Sequence, residues 1–199
     1  MTDELLDSEG DLANPSQIDA MRGTNFLAGR RWLREQGLER RYLQSLSPAI
    51  REAILVVEAS AWVPMDVVLP HYVALDALEL TFEQRVEFGA NVSRSINGVV
   101  LTTIARLAGR VGLTPLTPLS RAAKLFARNY RGGAAAVYKT APTEARFEVH
   151  GAPMAVSTCH RDNLLGAFLD GARPFASDVR VTEILARRTA DTYALRIRW

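Results

Sequence analysis

The C-terminal residues constrain the fold more than any other stretch of the chain. Tyr193, Leu195, Ile197 and Trp199 alternate with Thr192, Ala194, Arg196 and Arg198, the two-residue period of a strand that buries one face and wets the other. A helix cannot serve one core with that pattern, because its faces repeat at about 3.6 residues. A second alternation precedes it: Ala145, Phe147 and Val149 stand opposite Glu144, Arg146 and Glu148. Between the two lie a turn at 151–153, an apolar helical segment containing Cys159, and a further strand that places Val179, Val181, Glu183 and Leu185 on one face. The end of the chain is therefore expected to be an antiparallel sheet carrying a helix.

Ahead of it the periodicity is helical. Thr24 is placed to cap a helix over 25–36 with Phe26, Leu27, Trp32 and Leu33 as its apolar side and Gly37 as its stop. A short helix with Tyr42 follows, and Ser47 with Pro48 opens a third bearing Ile50 and Ile54. Pro64 marks a boundary and a new start, after which Val67, Val68, Tyr72, Leu75 and Leu78 form a stripe that Pro70 must enter early or kink. Thr81 and Gln84 make a capping box for the longest helix, over 81–111, on which Phe82, Val86, Ile96, Val100, Leu107 and Val111 recur. Asn97 and Gly98 are its expected bend or break. Thr117 caps one more helix, with Leu119, Ala123, Phe126 and Tyr130 on its face, and Gly132 and Gly133 close it before a first strand at 134–139. The fold class is thus α+β: one domain over 22–199, helical over 22–131 and sheet-rich over 132–199, preceded by an acidic tail at 1–21 that is expected to be mobile.

Composition narrows the function classes. Residues 1–20 hold six acids and no Lys or Arg, leaving 24 basic against 16 acidic residues in the other 179. Of the basic residues only Lys124 and Lys139 are not arginine. Arginine suits phosphate and guanine, but these are scattered as a GC-rich genome would scatter them, so no nucleic-acid footprint is expected. No apolar run approaches the roughly 20 residues of a membrane span, and no basic-then-apolar leader opens the chain. With a single cysteine, a cytoplasmic setting is expected.

Catalytic signatures are missing. There is no Gly-x-Ser-x-Gly elbow, phosphate-binding loop or dinucleotide fingerprint. The histidines, His71, His150 and His160, form no zinc-type spacing, and Cys159 beside His160 would project about 100° away from it on a helix. Cys159 reads as a buried structural thiol. Glu183 is a carboxylate in an apolar row. Either its face is buried, in which case it needs a partner or a proton, or it sits at an exposed sheet edge.

Arg22, Gly23, Thr24, Phe26 and Leu27, the Trp62-Val63-Pro64 turn, and the long helix leading to Tyr130 resemble a myxobacterial paralogous family of about this length. Residues 159–166 and 179–199 resemble the C-terminal part of the 4-vinyl reductase domain, whose superfamily includes the haem nitric-oxide/oxygen binding domain and Bet3-like tethering subunits. The resemblance implies helices packed on one face of an antiparallel sheet, a homodimer formed through helices, and ligand sensing or interaction rather than catalysis. In phenol-sensing members a Cys, a Glu and two later Cys hold zinc. Cys159 and Glu183 match the first two, but Ala186 and Ala194 stand at the others, so zinc is expected to be absent. The Tyr-x-Ser-x-Arg haem-propionate motif is missing too, and only His71 and His150 keep haem open. No cofactor is expected.

The leading expectation is a non-enzymatic sensor or regulatory domain holding a small apolar ligand between helices and sheet. Trp62, Phe168 and Tyr193 are its candidate lining residues, and Glu183 and Cys159 the further ligand-site candidates. The alternative is an interaction module that dimerises through the 81–111 helix and engages a protein partner.

Overall fold

The computed structural model describes residues 3–111 and 114–199, with the backbone alone described over 99–111. Its strands are β1 (Glu4–Glu9), β2 (Ala20–Arg22), β3 (Trp62–Pro64), β4 (Tyr130–Arg131), β5 (Ala134–Ala141), β6 (Glu144–His150), β7 (Arg180–Glu183) and β8 (Tyr193–Arg198). The helices are α1 (Gly23–Glu35), α2 (Glu39–Ser45), α3 (Pro48–Leu55), α4 (Met65–Asp76), α5 (Phe82–Val111), α6 (Leu116–Leu119), α7 (Ala122–Asn129) and α8 (Thr158–Ala172).

Five strands form an antiparallel sheet in the order β1-β5-β6-β8-β7, and β3-β2-β4 form a second, small sheet. The alternation in the sequence sets the register of the large sheet. Ala145, Phe147 and Val149 pair with Ile197, Leu195 and Tyr193, so one face collects all six apolar side chains. Helices α7 and α8 cover that face, α5 packs across α8, and α1 packs on α5.

The expected mobile tail is instead structured. Strand β1 pairs with β5 from Glu4 opposite Lys139 to Glu9 opposite Ala135, with a bulge between Leu5 and Asp7. Without it the backbone edge of β5 would be unpaired. The acidic residues that make the segment look disordered are used in contacts. An Asp7 carboxylate oxygen accepts from the Lys124 amide in the first turn of α7 at 3.3 Å, and Asp3 pairs with Arg146. Ile18 is fully buried, and its amide donates to the Gly151 carbonyl.

Three local expectations change. Helix α1 begins at Gly23, with Arg22 rather than Thr24 at the N-cap position and no side chain capping it, and the Gly23 amide donates to the Ala61 carbonyl at 2.9 Å. Thr117 lies inside the short α6 rather than capping a longer helix. Helix α5 runs through Asn97 and Gly98 unbroken. The Thr81–Gln84 capping box does form, with each side chain bonding the other residue's amide at 3.3 and 2.9 Å. The side chains of Val100, Leu107 and Val111, part of the expected dimer face, lie outside the described residues. Among the described residues no helix is long and apolar enough to cross a membrane.

Candidate functional site

The α5–α8 crossing leaves a void on the sheet side. Gly89 and Gly166 let the two helix backbones touch: a Cβ on Gly89 would lie 1.9 Å from the Asn163 carbonyl oxygen, and one on Gly166 1.9 Å from that of Val86. Beyond that contact the helices, α7 and β6 border a partly open cavity of about 160 Å³. Its walls are apolar and largely aromatic, with Phe88, Val92 and Ile96 from α5, Leu125 and Phe126 from α7, Phe147 from β6, and Leu164 and Phe168 from α8. The aromatic rings brace one another. Phe147 and Phe168 have centroids 4.7 Å apart, and Phe126 stacks on Tyr130 at 4.4 Å.

Polar groups also line the cavity: His71 and Tyr72 of α4, Tyr130 and His160, together with Asn25, Ser93, Asn97, Asn129 and Asn163. Each imidazole is tied to a tyrosine of the surrounding core. Nδ1 of His71 lies 2.6 Å from the Tyr42 hydroxyl, and Nε2 of His160 lies 3.2 Å from that of Tyr193. Tyr72 bridges the pairs, with its ring centroid 5.0 Å from His71 and 4.8 Å from His160. Burial removes the water that would stabilise an imidazolium, so both histidines are pushed down to about 3. The neighbouring Arg161 guanidinium adds to the effect at His160. The same desolvation raises Tyr130 to about 12 and lifts Tyr72 and Tyr193 well above the ordinary phenol value. At neutral pH these groups are uncharged hydrogen-bonding groups beside an apolar cavity. Nδ1 of His160 has no hydrogen-bond partner.

Of the residues singled out in the sequence as ligand-site candidates, only Phe168 lies on the wall. Tyr193 stands one layer behind it, touching the cavity through His160. Trp62 is on β3 in the small sheet, with the Arg22 guanidinium 3.8 Å from its ring centroid, and faces a separate hollow. Cys159 is buried at the start of α8, where its amide donates to Asp76 at 2.7 Å, and burial pushes its thiol up to about 12. Glu183 shares the inner sheet face with its cross-strand partner Leu195, on the edge strand β7. Arg161 and Arg188 approach its carboxylate at 3.5 and 3.6 Å, although Oε1 makes no well-directed hydrogen bond. Both features weighed for Glu183, an edge position and a charged partner, are present together. His150 sits apart from the cavity with its Nε2 3.5 Å from Glu148, since it alternates with Val149 along β6. No group of three or more His, Cys, Asp or Glu is placed to hold a metal among the described residues.

His160 is the cavity-lining residue hardest to see in the sequence. Its neighbour Cys159 is the more conspicuous of the two, and the helical spacing that turns His160 toward Tyr193 becomes meaningful only once β8 lies beneath α8.

The structure is similar to solved H-NOX domains. An Fe(II) unliganded H-NOX protein from K. algicida superposes with a TM-score of 0.63 at 11% identity, over 89% of this chain and 96% of that one. A single-residue mutant of T. tengcongensis H-NOX gives 0.57 at 14% identity, over 89% and 97%. An oxygen complex of an H-NOX domain related to soluble guanylate cyclases gives 0.54 at 13%, over 89% and 94%. The fold is the H-NOX fold. The match spans both the helical and the sheet-rich parts, as the α+β expectation requires. The sequence itself matches no protein-family model and no curated protein.

Proposed function

We propose that this chain is a non-catalytic sensor or regulatory domain whose cavity between α5, α7, α8 and the sheet admits a small apolar molecule. The cavity carries the reading: it is a preformed, aromatic-walled void inside a domain whose structural neighbours include ligand-binding proteins. The partners of the lining histidines support the non-catalytic part. The two imidazoles that line the void are paired with tyrosines rather than with a serine or cysteine nucleophile.

Haem, which the neighbouring structures concern, does not fit the residues present. The void compares with the roughly 150 Å³ that accommodates benzene, and a tetrapyrrole is several times larger. No Arg or Lys stands among the described lining residues to meet propionates. His71, one of the two histidines that kept haem open, is held by Tyr42, and His150, the other, is elsewhere.

Native mass spectra of protein purified from its own host, with ethylbenzene as an added probe, test the proposal. An extra mass lost on denaturation, or ethylbenzene binding that the cavity-filling Ala167→Phe change abolishes, is the expected result. A clean apo mass together with no ethylbenzene binding overturns it.

A further inference from the structure

The cavity has more chemistry than an apolar ligand would use. His160 is fully buried and forms part of the wall, yet its Nδ1 has no partner. A buried polar atom left without a partner is destabilising, so the site gains from any ligand atom that pairs it.

The surrounding groups fix which kind of atom is needed. The Tyr193 hydroxyl has His160 Nε2 as its hydrogen-bond partner among the described residues. If the hydroxyl donates to Nε2, the ring proton sits on Nδ1 and one donor is left over. If Nε2–H donates instead, both the hydroxyl proton and the Nδ1 lone pair go unmet. The first arrangement leaves fewer groups unsatisfied, so Nδ1–H is a donor awaiting an acceptor.

Charge and size narrow the ligand further. No Arg, Lys, Asp or Glu is among the described lining residues, so a carboxylate or an ammonium would be buried without a counter-charge. About 160 Å³ holds one ring or a short branched chain. Resting on the ligand reading above, we infer that the cavity takes an uncharged, single-ring-sized molecule that presents a carbonyl oxygen to the Nδ1–H of His160.

Three probes of nearly equal size test this by calorimetry on the full chain: acetophenone, ethylbenzene and benzoate. Acetophenone binds about tenfold more tightly than ethylbenzene, the gain of one hydrogen bond made to an otherwise unpaired donor, and benzoate does not bind. In a variant combining His160→Phe with Tyr193→Phe, which removes both hydrogen-bonding partners and keeps two aromatic rings in the core, the preference for acetophenone disappears while ethylbenzene still binds. If ethylbenzene binds the wild type as tightly as acetophenone, or the double variant keeps the preference, the His160 inference falls and the cavity reading stands. If none of the three probes binds, both fall.

Discussion

The Tyr42 hydroxyl lies 2.6 Å from Nδ1 of His71, joining α2 to α4 in the core behind the cavity. Its counterpart is the contact between Tyr193 and His160, and the two pairs together place four uncharged hydrogen-bonding side chains in the interior. Such groups specify a core when they are satisfied and destabilise it when they ionise.

Acid should therefore unfold this protein through its histidines. In the folded state both imidazoles stay neutral down to about 3, whereas in the unfolded chain they take up a proton near 6.5. Between those values the unfolded state binds more protons, so stability falls as pH falls. Above that window neither state is protonated and the contribution is flat. Each histidine is expected to cost about 1.4 kcal/mol per pH unit inside the window. Urea unfolding from pH 7 to pH 4 measures the slope, and nitrogen NMR reads the tautomers directly. An imidazole of either residue titrating near 6.5 in the folded protein would refute this.

Replacing Gly166 with Ala is expected to cost about 3 kcal/mol or more, because the new methyl group would meet backbone rather than a yielding side chain. Gly98→Ala is the control. It lies in the long helix α5 with nothing within 4 Å of its Cβ position, so the change should stabilise by about 0.5–1 kcal/mol through helix propensity. Equal effects of the two substitutions in chemical denaturation would mean that α5 and α8 do not cross as closely as described.

Deleting residues 1–9 should do more than trim a tail. It removes a strand, the Asp7 contact to α7 and the Asp3–Arg146 pair, and bares the edge of β5. A loss of about 2 kcal/mol or more is expected, with self-association through the open edge. Denaturation midpoints and sedimentation decide the matter, and an unchanged, monomeric truncation would restore the reading of a mobile tail.

Cys159 should be inert in the native protein. It is fully buried and its thiol is pushed up to about 12, so almost no thiolate exists at pH 8. A disulfide exchange reagent should label it only as fast as the chain opens, and at once in denaturant. Rapid stoichiometric labelling under native conditions would show that the start of α8 is open to solvent.

Much of this architecture is legible in the chain, because period and punctuation are local properties. The alternations at 144–149 and 192–199 mark two adjacent strands of the sheet, and Ser47-Pro48 and Thr81-Gln84 mark two helix starts whose caps form as expected. Of the ligand-site candidates only Phe168 reaches the wall, since a lone aromatic residue on an amphipathic helix does not reveal what faces it.

Local spacing thus determined which segments are helix and strand, and which face of β6 and β8 turns inward. Tertiary structure alone decided the rest. The acidic residues 3–9 look disordered until β5 offers an edge to pair with and Arg146 and α7 offer partners for Asp3 and Asp7. His71 and His160, 89 positions apart in the chain, come to line one cavity because α4 packs against α8 with the Tyr72 ring between the two imidazoles. A cavity is the space that packing leaves between elements distant in sequence, and no single segment encodes it.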